Sequence, residues 1–320
     1  MHLTSKVIGT EISLFEQKFA EAIHSNLPLL QPMTGYLISN KGKQIRPVFS
    51  LLCAKMGGEV NERSYLAAIV VEMLHTASLL HDDIIDESME RRGKPSVNAV
   101  WNNKPALFLG DIISLQALLL TLTNKEHNIL RIYATAIGHI IDGEILQLRH
   151  TFRVNLNESI YFKIITGKTS AFFAAACEAG ASTTFTDEIS VQAFHRFGKT
   201  AGIAFQLKDD MFDYGNSDVG KPVRNDIKDR KVTLPLIYTL NSVNRKLRNE
   251  LIKLIKLKDK TPEMISFIIE EVRKAGGLQY TTDKMLRYRD DAMAILHSFP
   301  GNDIRLALEE QVRYITDREF

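Results

Sequence analysis

The placement of proline most narrows what this chain can become. All nine prolines lie at positions 28, 32, 47, 95, 105, 222, 235, 262 and 300, so the intervals 48–94 and 106–221 contain none. Proline removes a backbone donor and breaks helices, and its absence over such spans leaves long helices uninterrupted. Both intervals are rich in Ala, Leu, Ile, Glu and Gln, and neither has alternating β-branched runs of the strand type. There is no glycine-rich phosphate loop after a strand, no low-complexity tract and no convincing repeat. The pattern predicts helices over 10–25, 29–40, 44–57, 61–88, 106–122, 127–150, 157–180, 187–214, 232–255, 261–275, 279–298 and 302–317, with Gly57-Gly58 and Gly180 as breaks. The expected fold class is all-α, with residues 1–320 forming a single large domain.

Within this apolar helical pattern sit two acidic pentads, Asp82-Asp83-Ile84-Ile85-Asp86 and Asp209-Asp210-Met211-Phe212-Asp213. Aspartate is a poor helix former, and like charges four residues apart repel. The segments before the pentads are core-like: Leu74 to Leu80 before the first, Ile203-Ala204-Phe205 before the second. Three aspartates at a helix end usually form a solvated surface, but two such sites in apolar settings point elsewhere. Buried carboxylates need a compensating charge. Hard divalent cations that prefer oxygen ligands supply it, and Mg²⁺ held this way can hold a diphosphate. At 100° per residue His75, Asp82 and Asp86 fall within about 40° of one line along their helix. Gln206, Asp210 and Asp213 align similarly, with Asp209 beside them.

Composition excludes several classes. Forty basic and 38 acidic residues leave a net charge of +2, so no global field argues for nucleic acid or an anionic membrane. Cys53 and Cys177 lie in apolar segments, which argues against a disulfide and for a cytoplasmic location. Met1 to Glu11 holds no apolar core of signal-peptide type. The run from Ala106 to Leu122 is interrupted by Asp111 and Gln116, short of the ~18 clean apolar residues of a spanning helix.

Taken in order, the motifs resemble those of the trans-isoprenyl diphosphate synthases (polyprenyl synthetases) over nearly the whole chain. They are Gly42-Lys43-Gln44-Ile45-Arg46-Pro47; Glu72 through Asp86; Arg91-Arg92-Gly93; Gly110-Asp111; Gly143-Glu144; Lys168-Thr169; Phe205 through Asp213; Gly220-Lys221-Pro222; Asp226; and Lys231 to Pro235. Lys41 departs from the pattern, since the family commonly has a second glycine there, but Lys43 and Arg46 stay in register. The resemblance implies a helical bundle around a deep central cavity, usually a homodimer. It implies Mg²⁺, three ions with substrate bound, held by Asp82, Asp86 and Asp209, with Asp83, Asp210 and Asp213 acting through water or orienting neighbours. An allylic diphosphate, farnesyl or geranylgeranyl, would meet Arg91, Lys168, Lys221 and Lys231; isopentenyl diphosphate would meet Lys43, Arg46, His75 and Arg92. Thr169 and Gln206 match family positions whose oxygens face the cation, and with Lys168 they form the catalytic set the resemblance implies.

The resemblance also implies that the product tail runs beside the first aspartate helix. Ala77 and Ser78, just before the pentad, are small, and Leu74 and Val71, on successive deeper turns, are moderate. Each turn adds about 5.4 Å, comparable with one isoprene unit, so the expected product is long, about six to eight units. The floor would come from other helices, near Phe108, Ile112 or Leu115. Alternatives are a short-chain synthase, a catalytically silent subunit of a heteromer, a terpene cyclase, and an HD-type phosphohydrolase built on His81-Asp82. The cyclase reading leaves Lys43, Arg46 and Arg92 unused; the phosphohydrolase reading leaves the second pentad unexplained. No nucleic-acid partner is expected, and at most peripheral membrane contact for product release.

Overall fold

The computed structural model describes residues 2–25, 27–151, 157–215, 227 and 231–318. Its helices are α1 (His2–Ile23), α2 (Leu30–Ser39), α3 (Ile45–Gly57), α4 (Glu62–Ile85), α5 (Val97–Trp101), α6 (Asn103–Thr123), α7 (His127–Thr151), α8 (Glu158–Ile165), α9 (Ala171–Ala181) and α10 (Glu188–Phe212). They continue with α11 (Leu234–Ser242), α12 (Arg245–Lys256), α13 (Pro262–Lys274), α14 (Gly277–His297) and α15 (Asp303–Asp317). Strands β1 (Glu90–Arg91) and β2 (Lys94–Pro95) form one antiparallel hairpin. The all-α expectation holds.

The chain divides into two compact units. The first comprises 1–135, 175–195 and 300–308; the second comprises 136–174, 196–299 and 309–320. Within the first, α4 is apolar on nearly every face, and Ala67, Val70, Val71 and Met73 have no exposed surface. A capping box starts this helix: the Asn61 side chain accepts from Arg63 and Ser64 N–H, and Ser64 answers the Asn61 N–H. Within the second, Tyr161, Ile165, Ala204, Leu207, Leu234 and Ile237 form one core cluster. Ile255, Ile265, Ile268 and Val272 belong to another.

Several boundaries differ from the sequence-based expectation. α1 begins at His2 rather than near residue 10, with a kink at Ile8. The segment 157–180 is not one helix, because a π-helical turn spans Thr166–Ser170. The segment 232–255 breaks at Val243-Asn244, where extended Asn244 caps α12 by accepting from the Leu247 N–H. Gly180 is no break; it lies inside α9, where an added Cβ would strike the Ser50 carbonyl. The hairpin over 90–95 has positive φ at both turn residues, Arg92 and Gly93, and so takes a primed turn without the usual Asn-Gly signal. α4 and α6 are each long and apolar enough to cross a membrane, α6 despite Asp111 and Gln116; α4 is mostly buried in its unit, and α6 is mostly not.

Candidate functional site

Both pentads end their helices. Asp86 is the C-cap of α4, and Asp213 lies in the turn after α10, so the last carboxylate of each pentad is outside the helix rather than within it. The helix macrodipole favours cations at such C-terminal ends, so carboxylates there gain nothing from the helix itself. Asp82 and Asp209 are half-buried, whereas Asp83 and Asp210 are each only 3% exposed.

In the first unit the buried Asp83 has a definite partner. Arg91 Nε lies 2.7 and 2.8 Å from its two oxygens, and Arg91 Nη2 lies 2.5 Å from Oδ1. This charge-assisted fork ties the end of α4 to the hairpin. The hairpin in turn holds the loop before α3. Arg92 Nη1 donates to the Asn40 carbonyl at 3.1 Å, Lys94 bonds the Asn40 side chain, and the Tyr36 hydroxyl donates to the Pro95 carbonyl at 2.7 Å. Gly42 leaves room here for the Arg92 guanidinium, which would have to shift if a Cβ were added. Lys43 is exposed on this loop. A cavity of about 70 Å³ is lined by Lys41, Glu72, Asp83, Arg91 and Arg92, among others.

Arg46, in the first turn of α3, reaches α4. Its Nη1 lies 3.0 Å from His75 Nε2. Guanidinium only donates, so His75 Nε2 accepts and the ring is neutral. Burial, with Arg46, Arg92 and Arg91 nearby, holds the His75 imidazole well below its ordinary value. Burial pushes the neighbouring Glu72 carboxyl up, opposed by Arg46 and Arg92. Val71, Leu74 and Ala77 are buried in the same helix, and half-buried Ser78 donates to the His75 carbonyl at 2.9 Å. His81 faces α6: its Nε2 is 3.2 Å from Asp111 Oδ1, and its ring occupies the space a Cβ on Gly110 would need. This explains the Gly110-Asp111 pair and commits His81 to helix packing. Phe108 and Leu115 are exposed and Ile112 is half-buried.

In the second unit the π-helical turn carries Lys168 and Thr169. Such turns often accompany functional sites, because the extra residue re-aims side chains. Lys168 Nζ lies 2.6 Å from Glu144 Oε1. The backbones of Gly143 and the turn meet so closely that a Cβ on Gly143 would come within 2.8 Å of the Lys168 nitrogen. Sequence reasoning noted Gly143-Glu144 but missed this pairing, which links residues 24 positions apart. Thr169 Oγ1 donates to Gln206 Oε1 at 2.6 Å, Gln206 Nε2 donates to Asp210 Oδ1 at 2.7 Å, and the Tyr161 hydroxyl donates to Asp210 Oδ2 at 2.5 Å. Tyr161 was not foreseen. These residues, with Lys168, Gln147, His150 and Lys231, line a cavity of about 200 Å³. Asp209 is paired with Arg318, just beyond α15. Lys221, with Gly220, Pro222 and Asp226, lies outside the described residues.

An all-α chain with two aspartate-rich helix ends, each set among fixed basic groups, is built to handle polyanions. The sequence model of the polyprenyl synthetase family matches residues 27–272. Heptaprenyl diphosphate synthase component 2 of Bacillus subtilis (strain 168) is 33% identical over 316 residues, 98% of this chain and 89% of that protein. All-trans-nonaprenyl-diphosphate synthase (geranyl-diphosphate specific) of Rhodobacter capsulatus is 32% identical over 314 residues, 97% of this chain and 96% of that one. The crystal structure of polyprenyl synthase from Caulobacter crescentus CB15, complexed with calcium and isoprenyl diphosphate, is similar with a TM-score of 0.93 and 31% identity, covering 99% of this chain and 97% of that one. The chain belongs to the polyprenyl synthetase family, whose members are prenyltransferases that depend on divalent metal.

The donor set fits such a metal. Among the described residues no three His, Cys, Asp or Glu groups come together as a self-sufficient cage. Mg²⁺ does not need one: it keeps several waters and takes one or two carboxylates plus substrate phosphates. Asp82 with Asp86, and Asp209 with Asp213, offer such sparse, oxygen-only donors.

Proposed function

We propose that this chain condenses isopentenyl diphosphate with an allylic diphosphate by ionisation, condensation and elimination, and repeats the cycle to a long-chain all-trans polyprenyl diphosphate. Asp82 and Asp86 in the first unit and Asp209 in the second would hold Mg²⁺, three ions with substrate bound. Bound there, the metal would neutralise charge on the departing diphosphate. Arg91, Lys168 and Lys231 bind the allylic diphosphate, and Lys43, Arg46, His75 and Arg92 bind isopentenyl diphosphate.

The observation that carries the reading is the hydrogen-bond chain from Thr169 through Gln206 to Asp210, closed by Tyr161. Thr169 gives its proton to Gln206, so its hydroxyl keeps only acceptor capacity. Gln206 gives its N–H to Asp210, which fixes the amide with its oxygen on the Thr169 side. Two oxygens of fixed polarity suit an allylic cation, and neither is a nucleophile. The Glu144 carboxylate holds Lys168 in place beside them. Proton loss from the condensed product needs a base, and the released diphosphate is one. On the first unit, neutral His75 turns its acceptor toward Arg46 and fixes that guanidinium against α4.

Small Ala77 and Ser78 before the pentad support a long product, as do the names of the Bacillus and Rhodobacter relatives. Exposed Leu107, Phe108, Leu115, Leu119 and Leu122 give α6 an apolar face that favours a second copy of the chain as partner. That copy would also cover Phe108 and Leu115, the residues expected near the tunnel floor. A heteromer is the second reading, favoured by the Bacillus relative being named as one component. The protein is expected to act in the cytoplasm, with product release at a membrane surface. Arg245, Lys246, Arg248, Lys253, Lys256 and Lys258 are exposed on and just after α12, whose apolar side is buried, and such a face suits anionic headgroups. The deciding assay incubates purified protein with labelled isopentenyl diphosphate, an allylic primer and Mg²⁺, and resolves products by length. Absence of elongation with every primer refutes the reading.

A further inference from the structure

The second pentad already holds a cation. Arg318, the residue after α15, pairs its guanidinium with Asp209 Oδ1. The same guanidinium lies 4.2 Å from the ring centre of Phe205 and 5.2 Å from that of Phe212. Its side chain is only 13% exposed. Phe205 and Asp209 are four residues apart on α10, and Phe212 is three beyond Asp209. One helical face thus provides two aromatic surfaces and a carboxylate, a niche shaped for a planar cation rather than a lysine. Yet the niche leaves Arg318 incompletely satisfied: its Nε is buried with no hydrogen-bond partner among the described residues. A buried donor of a charged group left unmade is costly. The arrangement holds Asp209 well and Arg318 imperfectly.

We infer that Arg318 is a placeholder for the metal at Asp209: it neutralises and orients that carboxylate in the unloaded enzyme and must be displaced before a divalent ion can bind there. The inference rests on the reading of Asp209 as a metal ligand. Asp209 lies half-buried beside Asp210 and Asp213, whose like charges repel it. A guanidinium removes that repulsion and keeps the carboxylate in one rotamer. It also competes directly with the metal for Oδ1, so that a metal already bound to diphosphate, bringing added attraction for the freed guanidinium, is favoured over metal alone. Arg318 is in this view a positioning residue that makes metal capture depend on substrate.

The test measures Mn²⁺ binding by electron paramagnetic resonance to the full chain, with Mn²⁺ alone and with Mn²⁺ plus inorganic pyrophosphate. The proteins are wild type, Arg318→Ala, Arg318→Lys, Asp209→Asn and the Asp209→Asn/Arg318→Ala double variant. Removing the competitor should tighten binding of Mn²⁺ alone five- to tenfold in Arg318→Ala, equivalent to about 1–1.4 kcal/mol. The gain should shrink or reverse when pyrophosphate is present, because the freed guanidinium no longer contributes. Arg318→Lys, which keeps the charge but cannot stack as a plane, should lie between the two. Asp209→Asn should weaken Mn²⁺ binding with pyrophosphate, and the Arg318→Ala gain seen with Mn²⁺ alone should vanish in that background. If Asp209→Asn weakens binding and Arg318→Ala leaves the metal-alone affinity unchanged or lower, the placeholder is wrong and Arg318 serves only packing. If Asp209→Asn has no effect at all, the metal-ligand reading fails first, and the inference with it. Wild-type melting behaviour in Arg318→Lys separates these outcomes from a folding defect.

Discussion

Breaking the Asp83–Arg91 fork from one side should cost more than breaking it from the other. Asp83 is 4% exposed at its side chain, whereas Arg91 is 36% exposed. Arg91→Ala strands a carboxylate out of water; Asp83→Asn strands a guanidinium that water already reaches and leaves an amide oxygen to accept one of its bonds. Removing one partner of a fully buried pair costs about 3–5 kcal/mol, and a partly solvated survivor about 1–2 kcal/mol. We therefore expect about 3 kcal/mol for Arg91→Ala and about 1 kcal/mol for Asp83→Asn. Unfolding entropy of about 2.1 cal/mol/K per residue gives about 0.7 kcal/mol/K for a chain of 320 residues. The expected falls in melting temperature are then about 4–5 °C and about 1–2 °C. Differential scanning fluorimetry at neutral pH reads both, with the double variant as the coupling control. The double variant should melt close to or above Arg91→Ala, because its asparagine no longer carries the stranded charge. If Asp83→Asn proved the more damaging change, or if the two effects simply added, the fork would not be the tie between α4 and the hairpin.

Other outcomes follow from the same geometry. Ala77→Phe should shorten the product by one or more isoprene units on thin-layer chromatography; an unchanged length would refute the tunnel beside α4. His75 has an imidazole held below its ordinary value of 6.5, so the unfolded chain takes up a proton there that the folded chain refuses. Stability should therefore fall as pH drops below about 6.5, by up to about 1.4 kcal/mol per pH unit, and His75→Gln should flatten that slope in melts between pH 7 and 5. Glu72, raised from 4.5, works with the opposite sign and should become visible in the His75→Gln protein; equal slopes in both proteins would count against this account. Exchanging Lys253, Lys256 and Lys258 for Glu should abolish co-sedimentation with phosphatidylglycerol vesicles at low salt while leaving elongation of a soluble primer intact; binding that persists would exclude α12 as the membrane contact.

Helix content was legible because it rests on local signals: proline-free intervals, apolar periodicity and good helix formers. The capped start of α4 and the core character of its middle follow from Asn61-x-x-Ser64 and the apolar residues around Val70. What stayed hidden depends on contacts far apart in sequence. The π-helical turn at Thr166–Ser170 carries no propensity signal; it coincides with a close approach between Gly143 and Gly167 that only tertiary packing reveals. Glu144 to Lys168, Tyr161 to Asp210 and Arg318 to Asp209 join positions 24, 49 and 109 residues apart, beyond any helical period. The hairpin at 90–95 escaped notice because Arg92 takes a positive φ that the sequence does not demand, and the Asn40 carbonyl partly accounts for it.

The doubled aspartates acquire a common logic from their partners. In each pentad the first and second residues are about 100° apart on the helix, so they cannot serve one ligand equally. The second, Asp83 or Asp210, turns inward and is nearly sealed from water. Each is then committed to a fixed set of donors: Asp83 to Arg91, Asp210 to Gln206 and Tyr161. Of those donors, Arg91 and Gln206 are proposed to bind diphosphate and to face the cation, respectively. The first and last residues of each pentad are less buried, the first within the last turn of the helix and the last just past its end, where water reaches them. A single aspartate could hold a metal, and a single aspartate could orient an arginine or a glutamine. Placing two in succession at a helix end makes one turn of backbone set both positions at once, so that the carboxylate proposed to bind metal and the side chain proposed to face substrate keep a fixed spacing. An Asp210→Asn exchange should therefore lower turnover through Gln206 while leaving Mn²⁺ affinity near that of wild type, whereas Asp209→Asn should do the reverse in binding.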